Sequence, residues 1–193
     1  DKIPIRGKHP TIERMLGNPR QGEVKPELME SVLEISTDPC ATVGEAAVQL
    51  RDLRHEVALR AQGMGYAIGA AGTHPFAKWE DQRIANRPRY RDLISALRFV
   101  ARQELIFGMH VHVGIDDPET AIAVSNGMRL YCPILLAVSA NSPYWRGDDT
   151  GLASTRMPIF RAFPRVGIPP HYRDWEDYQA RIAFQIAAGL IED

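Results

Sequence analysis

Two histidines spaced by two residues, His110 and His112, interrupt the apolar run LIFGMHVHVGID at residues 105–116. Side chains at positions i and i+2 of a β-strand leave from the same face, so a strand here would present both imidazoles together. The alternate positions are apolar and predict an opposite face that packs on the core: Met109, Val111 and Val113. Imidazole binds zinc, iron, nickel and manganese, and magnesium where carboxylates dominate the shell. The pair therefore predicts a metal-binding or phosphate-binding role.

The structural alternative for these histidines is a hydrogen-bonded pair with no ligand. A single histidine beside a core strand is more often a satisfied structural residue than a ligand. Two on one face, each needing its own partner, are costlier to explain in that way. The His-x-His spacing alone does not choose among the metals.

Three glutamates, Glu27, Glu30 and Glu34, occur in the segment ELMESVLE. Glu34 lies between Leu33 and Ile35 in a strand-like pattern, where an unpaired charge is costly, so it requires a cation or a positive side chain. Two or three acids at one edge form a hard-cation site of the kind that Mg²⁺ uses with phosphates. The alternative is that Glu27 and Glu30 are ordinary surface residues.

Arg156 follows a loop of glycines and hydroxyl residues in TGLASTRMP. Its planar guanidinium matches a carboxylate or a phosphate, and a surface ion pair is the alternative. The long loop THPFAKWEDQRIANRPRY requires a functional reason in a compact domain. Its side chains Trp79, Arg89 and Tyr90 either line a site or simply pack the loop down.

Length and composition favour one globular domain covering residues 1–193, with 45% hydrophobic residues. Because 23 Lys and Arg balance 24 Asp and Glu, no global field attracts nucleic acid or an anionic membrane. Cys40 and Cys132 do not form a disulfide framework, which favours a reducing cytoplasm. No run approaches about 18 consecutive apolar residues and the amino terminus has no signal-peptide pattern, so we expect a soluble cytoplasmic protein.

The elements expected to position these residues mix helices and strands. The first 25 residues predict a loop with at most one short helix around residues 12–16. A strand is predicted at the end of KPELMESVLEIST, and a buried strand in YAIGAAG. Thr42 and Glu45 form a capping box for a helix that continues to Gly63. A second helix is predicted over residues 89–103, directly before the histidine strand.

The later elements are mainly helical. Asp117 and Pro118 predict the start of a third helix, which Pro133 interrupts before an apolar helix that ends ahead of Pro143. The segment YWRGDDTGLASTR predicts a loop, and Asp174 begins a last amphipathic helix. The order of elements lacks a regular βαβα alternation and therefore favours the α+β class.

Several common nucleotide and hydrolase motifs do not explain the sequence. GMGYAIG has glycine-rich spacing but follows a helix and precedes a strand, which is the reverse of a dinucleotide-binding turn. The sequence contains no GxxxxGK[ST], GxSxG or HExxH motif. Binding of ATP would therefore use another fold.

Taken together, four ordered segments resemble the glutamate-cysteine ligase type 2 family, the bacterial carboxylate-amine ligases. These segments are ELMESVLEISTDPC, AAGTHPFAKWEDQ followed by RY, FGMHVHVGID, and LLAVSANSPYWRGDDTGLASTR. The resemblance implies the glutamine synthetase-like catalytic fold, a curved antiparallel sheet with helices packed on its outer face. It also implies binding of ATP and Mg²⁺.

The resemblance assigns roles residue by residue. Glu27 and Glu34 match metal ligands, His110 matches the histidine on a second metal, and His112 matches a phosphate contact of ATP. Arg156 matches an arginine that holds a substrate carboxylate, and with the two histidines it forms the expected catalytic set. The wall of the amino-acid site matches a separate group of residues: Thr73, His74, Trp79, Arg89 and Tyr90.

The implied reaction forms a γ-glutamyl amide from glutamate and cysteine or another amine, through an acyl phosphate. The expected partners are therefore glutamate, the amine and ATP, with no nucleic acid and no membrane, and self-association into a homo-oligomer is left open. Family members carry an amino-terminal Gly-x-Glu-x-Glu strand and a later TVEVR-like strand, and neither appears in this sequence. A metal-dependent hydrolase of the amidohydrolase type and a non-catalytic nucleotide-binding remnant are the alternatives.

Overall fold

A computed structural model describes residue 19 and residues 21–191 of the chain. The short helix expected around residues 12–16 lies outside these residues. The described chain mixes helices with small antiparallel sheets, as the α+β class predicts. It divides into a first unit, which runs to Phe107 and includes Ser142–Phe160, and a second unit of Gly108–Asn141 and the residues from Arg161 onward.

The first unit begins with an antiparallel pair of strands. Strand β1 is Glu23–Pro26 and strand β2 is Leu33–Ser36, with Lys25 opposite Glu34. Strand β2 confirms the strand predicted at the end of its segment, whereas β1 was not predicted. The described residues form two sheets of two strands each, and the larger curved sheet of the glutamine synthetase-like fold stays a prediction.

Gly22 allows the chain to enter β1 close to the end of β2. Its φ is +69°, and a Cβ atom placed on it would lie 2.3 Å from the Ser36 backbone oxygen. Its amide donates a hydrogen bond of 3.0 Å to the Asp38 carboxylate. Only glycine combines this backbone conformation with so close an approach.

Helix α1, Val43–Gly63, follows the predicted bounds. The Thr42 hydroxyl accepts from the Glu45 amide at 3.2 Å, and the Glu45 carboxylate accepts from the Ala41 amide at 2.9 Å, so the side chains of the predicted capping box satisfy two free amides. Helical spacing then buries one stripe of the helix: Leu53, Val57 and Ala61.

The buried strand predicted for YAIGAAG is wrong. Residues 66–72 form no strand, and residues 67–70 are exposed. A strand requires a neighbour to receive its hydrogen bonds, and within the described residues this region has only the isolated bridge between Thr73 and Ile106. The apolar composition was therefore not sufficient to predict a strand.

The helix predicted over residues 89–103 is divided. Helix α2 is Pro88–Leu97 and helix α3 is Phe99–Arg102. Between them Arg98 has a φ of +45°, a left-handed backbone value that ends the helical hydrogen-bonding pattern. Nearby, a short 3-10 helix at Trp79–Asp81 lies in the long loop, and four residues form a buried cluster: Leu28, Met29, Ala77 and Leu105.

The predicted glycine- and aspartate-rich loop contains a tight hairpin. Strand β3, Tyr144–Trp145, pairs with strand β4, Asp148–Asp149. The two turn residues, Arg146 and Gly147, have φ values of +57° and +96°, as a two-residue hairpin with a primed turn requires. Helix α6, Arg156–Phe160, follows the hairpin and completes the first unit.

The second unit is helical. Helix α4 is Pro118–Met128, a 3-10 helix is Arg129–Tyr131, helix α5 is Cys132–Ser139 and helix α7 is Trp175–Ala187. The caps confirm the predicted starts, because Asp117 accepts from the Thr120 amide at 2.7 Å and Asp174 from the Asp177 amide at 2.7 Å. The α-helical pattern is interrupted at the 3-10 helix and not at Pro133 as predicted. Pro133 instead lies in the first turn of α5.

The continuous helical run Pro118–Ser139 has a mean hydropathy of 1.5 and is long enough to cross a membrane by length and composition alone. It includes the charged residues Glu119 and Arg129, so it contains no unbroken apolar stretch of that length. A single helix of this kind is weak evidence for a membrane-spanning segment, because core helices of soluble proteins also meet this criterion of length and composition.

Replacing Gly22 with alanine should lower the free energy of unfolding by about 2–4 kcal/mol, since the new methyl group clashes with backbone. Gly65→Ala is the matched control: its φ is +79°, but no atom lies within 4 Å of the added Cβ. We expect the control to cost about 1 kcal/mol, from backbone conformation alone. Urea unfolding measures both, and equal losses would contradict the proposed role of the Ser36 contact.

Candidate functional site

Two of the predicted site residues, Glu27 and Tyr90, lie together in the first unit. Glu27 directly follows β1, and Tyr90 projects from the first turn of α2. The Tyr90 hydroxyl oxygen is 3.1 Å from the Pro26 carbonyl oxygen and 3.5 Å from Glu27 Oε1. Glu27 Oε1 also accepts a hydrogen bond of 2.8 Å from the Leu28 amide, which fixes one side of the carboxylate.

Glu34 is paired with a positive side chain, one of the two partners that the sequence argument required. Lys25 lies opposite it in the sheet, with Nζ 3.5 Å from Glu34 Oε2. Burial acts to lower the pKa of Lys25, but the charges of Glu34 and Glu23 outweigh it and raise that pKa. Burial, and then the charge of Glu27, raises the pKa of Tyr90, to which Glu34 also contributes. Both carboxylates therefore act on the same tyrosine hydroxyl.

The carboxylates of Glu27 and Glu34 are hard oxygen donors and fit part of a magnesium shell. Within residues 21–191 and residue 19, no group of three or more His, Cys, Asp or Glu side chains is assembled to hold a metal. The wider ligand set that adds His110 stays a prediction. Glu30 is half-buried, and its amide donates a hydrogen bond of 2.8 Å to the Arg83 carbonyl.

The histidine segment lies in the second unit and is not a strand. The prediction that it packs one face on a core is also wrong, because Met109, Val111 and Val113 are 80%, 77% and 75% exposed. In the described part of the chain no strand pairs with this segment, and residues 108–114 are exposed on both of its faces. The side-by-side placement of His110 and His112 is nevertheless present, with ring centroids 6.3 Å apart and both side chains exposed.

The loop residues predicted to wall the amino-acid site have separate structural roles. Thr73 is buried and its hydroxyl donates to the Tyr144 carbonyl at 3.0 Å, which ties the loop to the β3–β4 hairpin. His74 Nδ1 accepts from the Ala77 amide at 3.0 Å, and burial lowers the pKa of this imidazole. Trp79 packs edge-on against Phe99 with ring centroids 5.6 Å apart.

Arg156 begins helix α6 and is held from two sides. Its Nε donates a hydrogen bond of 2.8 Å to the Phe107 carbonyl, and its Cζ lies 4.9 Å from the centroid of the Phe160 ring. Its backbone amide donates to the buried Ser142 hydroxyl at 3.3 Å. Among the described residues no carboxylate forms an ion pair with this guanidinium, so the structure as described does not support the surface ion-pair alternative. By contrast, Arg89 is simply exposed on α2.

Hydroxyl groups fix the backbone on which Arg156 stands. Ser142 and Thr155 are 2% and 6% exposed, and the Thr155 amide donates to the Ser142 carbonyl at 2.9 Å. The Thr150 and Thr155 hydroxyls share a hydrogen bond of 2.6 Å. Because these buried groups are mutually satisfied, the loop presents the arginine from a defined position.

Sequence reasoning missed Glu104. This glutamate is 8% exposed, and its Oε1 atom is buried without a hydrogen-bond partner among the described residues. Burial raises the pKa of its carboxyl group to about 7, against the opposing charge of Arg156. The sequence did contain a signal for this residue, since Glu104 directly precedes the apolar residues Leu105, Ile106 and Phe107. An unpaired charge next to such a run is costly, as was argued for Glu34.

Comparison with known proteins gives a consistent result. The family model described as glutamate-cysteine ligase family 2 matches residues 5–193. A Rubrobacter xylanophilus protein named "Putative glutamate--cysteine ligase 2-1" is 46% identical over 167 residues, 86% of this chain and 44% of its own length. Proteins named "Putative glutamate--cysteine ligase 2" are 44% identical over 170 residues in Solibacter usitatus and 41% identical over 177 residues in Rhodospirillum rubrum.

The last two relatives are covered to a similar extent. The match takes in 88% of this chain and 44% of the Solibacter protein, and 92% of this chain and 46% of the Rhodospirillum protein. The chain therefore spans somewhat less than half the length of the curated relatives that it matches.

Replacing Glu104 with glutamine should stabilise the protein at alkaline pH. The ordinary pKa is 4.5 and the folded value about 7, so between these values the folded state keeps a proton that the unfolded state has lost. The carboxyl group therefore favours folding at low pH, and this contribution disappears as pH rises through about 7. The free energy of unfolding of the Glu104→Gln variant should therefore exceed that of the wild type, and the difference should grow with pH to on the order of 2 kcal/mol.

Chemical unfolding from about pH 5 to pH 9 measures this difference. Glu80→Gln is the control, since Glu80 is exposed and a hydrogen bond from its own backbone amide, with Arg146, holds the pKa of its carboxyl group below the ordinary value. Its stability contribution is present at neutral pH and is lost on acidification. A constant difference between Glu104→Gln and wild type across the range would contradict the assignment.

Proposed function

Since the chain belongs to glutamate-cysteine ligase family 2, we propose that it forms part of an ATP-dependent carboxylate-amine ligase that joins glutamate to cysteine or another amine. The observation that carries this proposal is the anchored Arg156, whose Nε is committed to the Phe107 carbonyl while no described carboxylate pairs with the guanidinium. A guanidinium fixed in this way suits a ligand carboxylate.

Arg156 would hold glutamate through a carboxylate. The hydrogen bond to Phe107 and the Phe160 ring restrain the guanidinium, so little side-chain entropy remains to be lost on binding. Among the described residues, the contact of the outer nitrogen Nη1 is one of 4.0 Å with the Met157 sulfur. The outer edge therefore remains able to donate to a ligand.

In the first unit, Glu27 and Glu34 are the residues that would hold Mg²⁺, and in the second unit His110 would be a ligand of a second metal, as the family resemblance assigns it. Bound Mg²⁺ would supply neutralisation of the negative charge on phosphate oxygens. The Tyr90 hydroxyl contacts the Glu27 carboxylate, and the Lys25 ammonium group contacts the Glu34 carboxylate. These two contacts restrain the orientation of both carboxylates. His112 would contact a phosphate of ATP, and the distance of 6.3 Å between the His112 and His110 ring centroids supports neighbouring roles for the two imidazoles.

The proposed reaction balances without a covalent enzyme intermediate. A carboxylate is a poor electrophile, so its oxygen first attacks the γ-phosphorus of ATP, and ADP leaves with the electrons of the broken bond. The amine nitrogen then attacks the acyl carbon and phosphate departs. Loss of a proton from nitrogen leaves the amide.

The substrate wall would come from the long loop and the start of α2. Thr73 and His74 have their hydrogen bonds inside the first unit and would act by fixing the loop. Trp79 supplies an apolar face, while Arg89 and Tyr90 supply polar groups at the start of α2.

Replacing His110 with alanine should abolish turnover while leaving stability nearly unchanged, because this side chain is exposed and its described ring contact is with another exposed side chain, His112. The measurement is ADP release by the full-length protein with glutamate and a panel of amines, with mass analysis of the product. His171→Ala, another exposed histidine of the second unit, is the control. Normal turnover by the His110 variant would refute its assigned role.

Replacing Arg156 with lysine should raise the KM for glutamate about 10- to 100-fold, because an ammonium keeps the charge and loses the planar fork. Steady-state kinetics with glutamate as the varied substrate measure the effect. Arg146→Lys is the control, since Arg146 is paired with Glu80 on the exposed hairpin turn. An unchanged KM in the Arg156 variant would remove the principal support for the proposed function.

A further inference from the structure

Glu104 and the anchor of Arg156 belong to one short segment. The Phe107 carbonyl that accepts from Arg156 Nε lies three residues after Glu104. Leu105, between them, is 1% exposed, and the Phe107 amide donates to the Gly72 carbonyl at 2.9 Å. The segment is therefore held by packing and by the backbone, and it fixes the carboxyl group and the arginine anchor together.

The Glu104 carboxyl group is buried without the usual compensation. Its Oε1 has no donor in the described structure, and a carboxylate left in that state is strongly disfavoured. Arg156 is the charged group whose field acts on it, yet the two side chains form no ion pair in the described part of the chain. A buried carboxyl group within the field of an arginine that has no carboxylate partner among the described residues is difficult to explain by stability alone, since it costs folding energy at neutral pH.

We propose that Glu104 is a positioning residue for Arg156, and that its buried carboxyl group adjusts how strongly the guanidinium binds the carboxylate of an α-amino acid such as glutamate. This inference rests on the proposed function, which makes Arg156 the carboxylate-binding group.

Two protonation states of Glu104 give the site different charges. When its carboxyl group is neutral, the positive charge of Arg156 is not offset and binds a ligand carboxylate most strongly. When it ionises, it offsets that charge and weakens ligand binding. Because burial raises the pKa of Glu104 to about 7, the change falls at physiological pH. Ligand binding must in turn raise the same pKa, since the coupling between two sites is reciprocal.

The test is isothermal calorimetry of L-glutamate with the full-length protein at about pH 6, 7 and 8.5, a range in which the carboxylates of the probe stay ionised. We expect the Kd of wild type to rise about threefold to tenfold between the extremes. In Glu104→Gln the Kd should stay low at every pH. Glu80→Gln, an exposed glutamate paired with Arg146, should keep the wild-type profile.

Parallel titration of Arg156→Ala separates this inference from the proposed function. If Arg156→Ala binds glutamate as wild type does, the proposed role of Arg156 fails. If Arg156→Ala loses binding but Glu104→Gln retains the wild-type pH dependence, only the role of Glu104 fails. A merely structural role would lower the amount of folded protein without changing the pH profile of Kd.

A measurement on the wild type keeps the inference testable if Glu104→Gln does not fold. Carbon-13 NMR of labelled glutamate side chains follows the ionisation of Glu104 with and without L-glutamate. We expect an upward displacement of its titration midpoint on binding, equal to the one calculated from the calorimetric pH profile. Identical midpoints in the free and bound protein would overturn the proposal.

Discussion

The hydrogen bond from Arg156 Nε to the Phe107 carbonyl connects the parts of the first unit that matter for the proposed chemistry. One partner stands on the loop fixed by buried Ser142 and Thr155, and the other ends the segment that carries Glu104. A backbone carbonyl cannot change its charge or its rotamer, so it holds the arginine without neutralising it. This arrangement positions the guanidinium and leaves its positive charge without a compensating negative charge, whereas an ion pair with a carboxylate would offset that charge.

Local signals in the sequence were sufficient for the helices that begin with a cap. Thr42, Asp117 and Asp174 each accept from an amide three residues onward, and these contacts depend only on neighbouring residues. The strand predictions were less successful, because a strand depends on a distant partner. Both YAIGAAG and the histidine segment have strand-like composition, but no strand of the described chain pairs with either one. The left-handed Arg98 also had no signal, since nothing in its side chain favours that backbone.

The candidate site shows the same division. The cost of an unpaired charge correctly predicted a positive partner for Glu34, although Lys25 could be identified only from strand register. Arg156 was identified from its residue type and its loop, whereas its anchor is a carbonyl 49 positions away in the chain. Glu104 was missed because it directly precedes the apolar run that was interpreted as a strand, and the functional residues of that run were taken to be the two histidines. Family membership then explains why separate segments are found in one order, but it does not supply the distances between them.

The uncovered segment with Met109, Val111 and Val113 has a practical consequence for handling the chain. Its exposed apolar side chains, on a segment that pairs with no strand of the described chain, leave it open to pairing with other chains, as an unprotected sheet edge is. Concentrated samples of this chain alone are therefore prone to aggregation through that segment. The exposed thioether of Met109 is also open to oxidation to the sulfoxide, which would make the segment more polar.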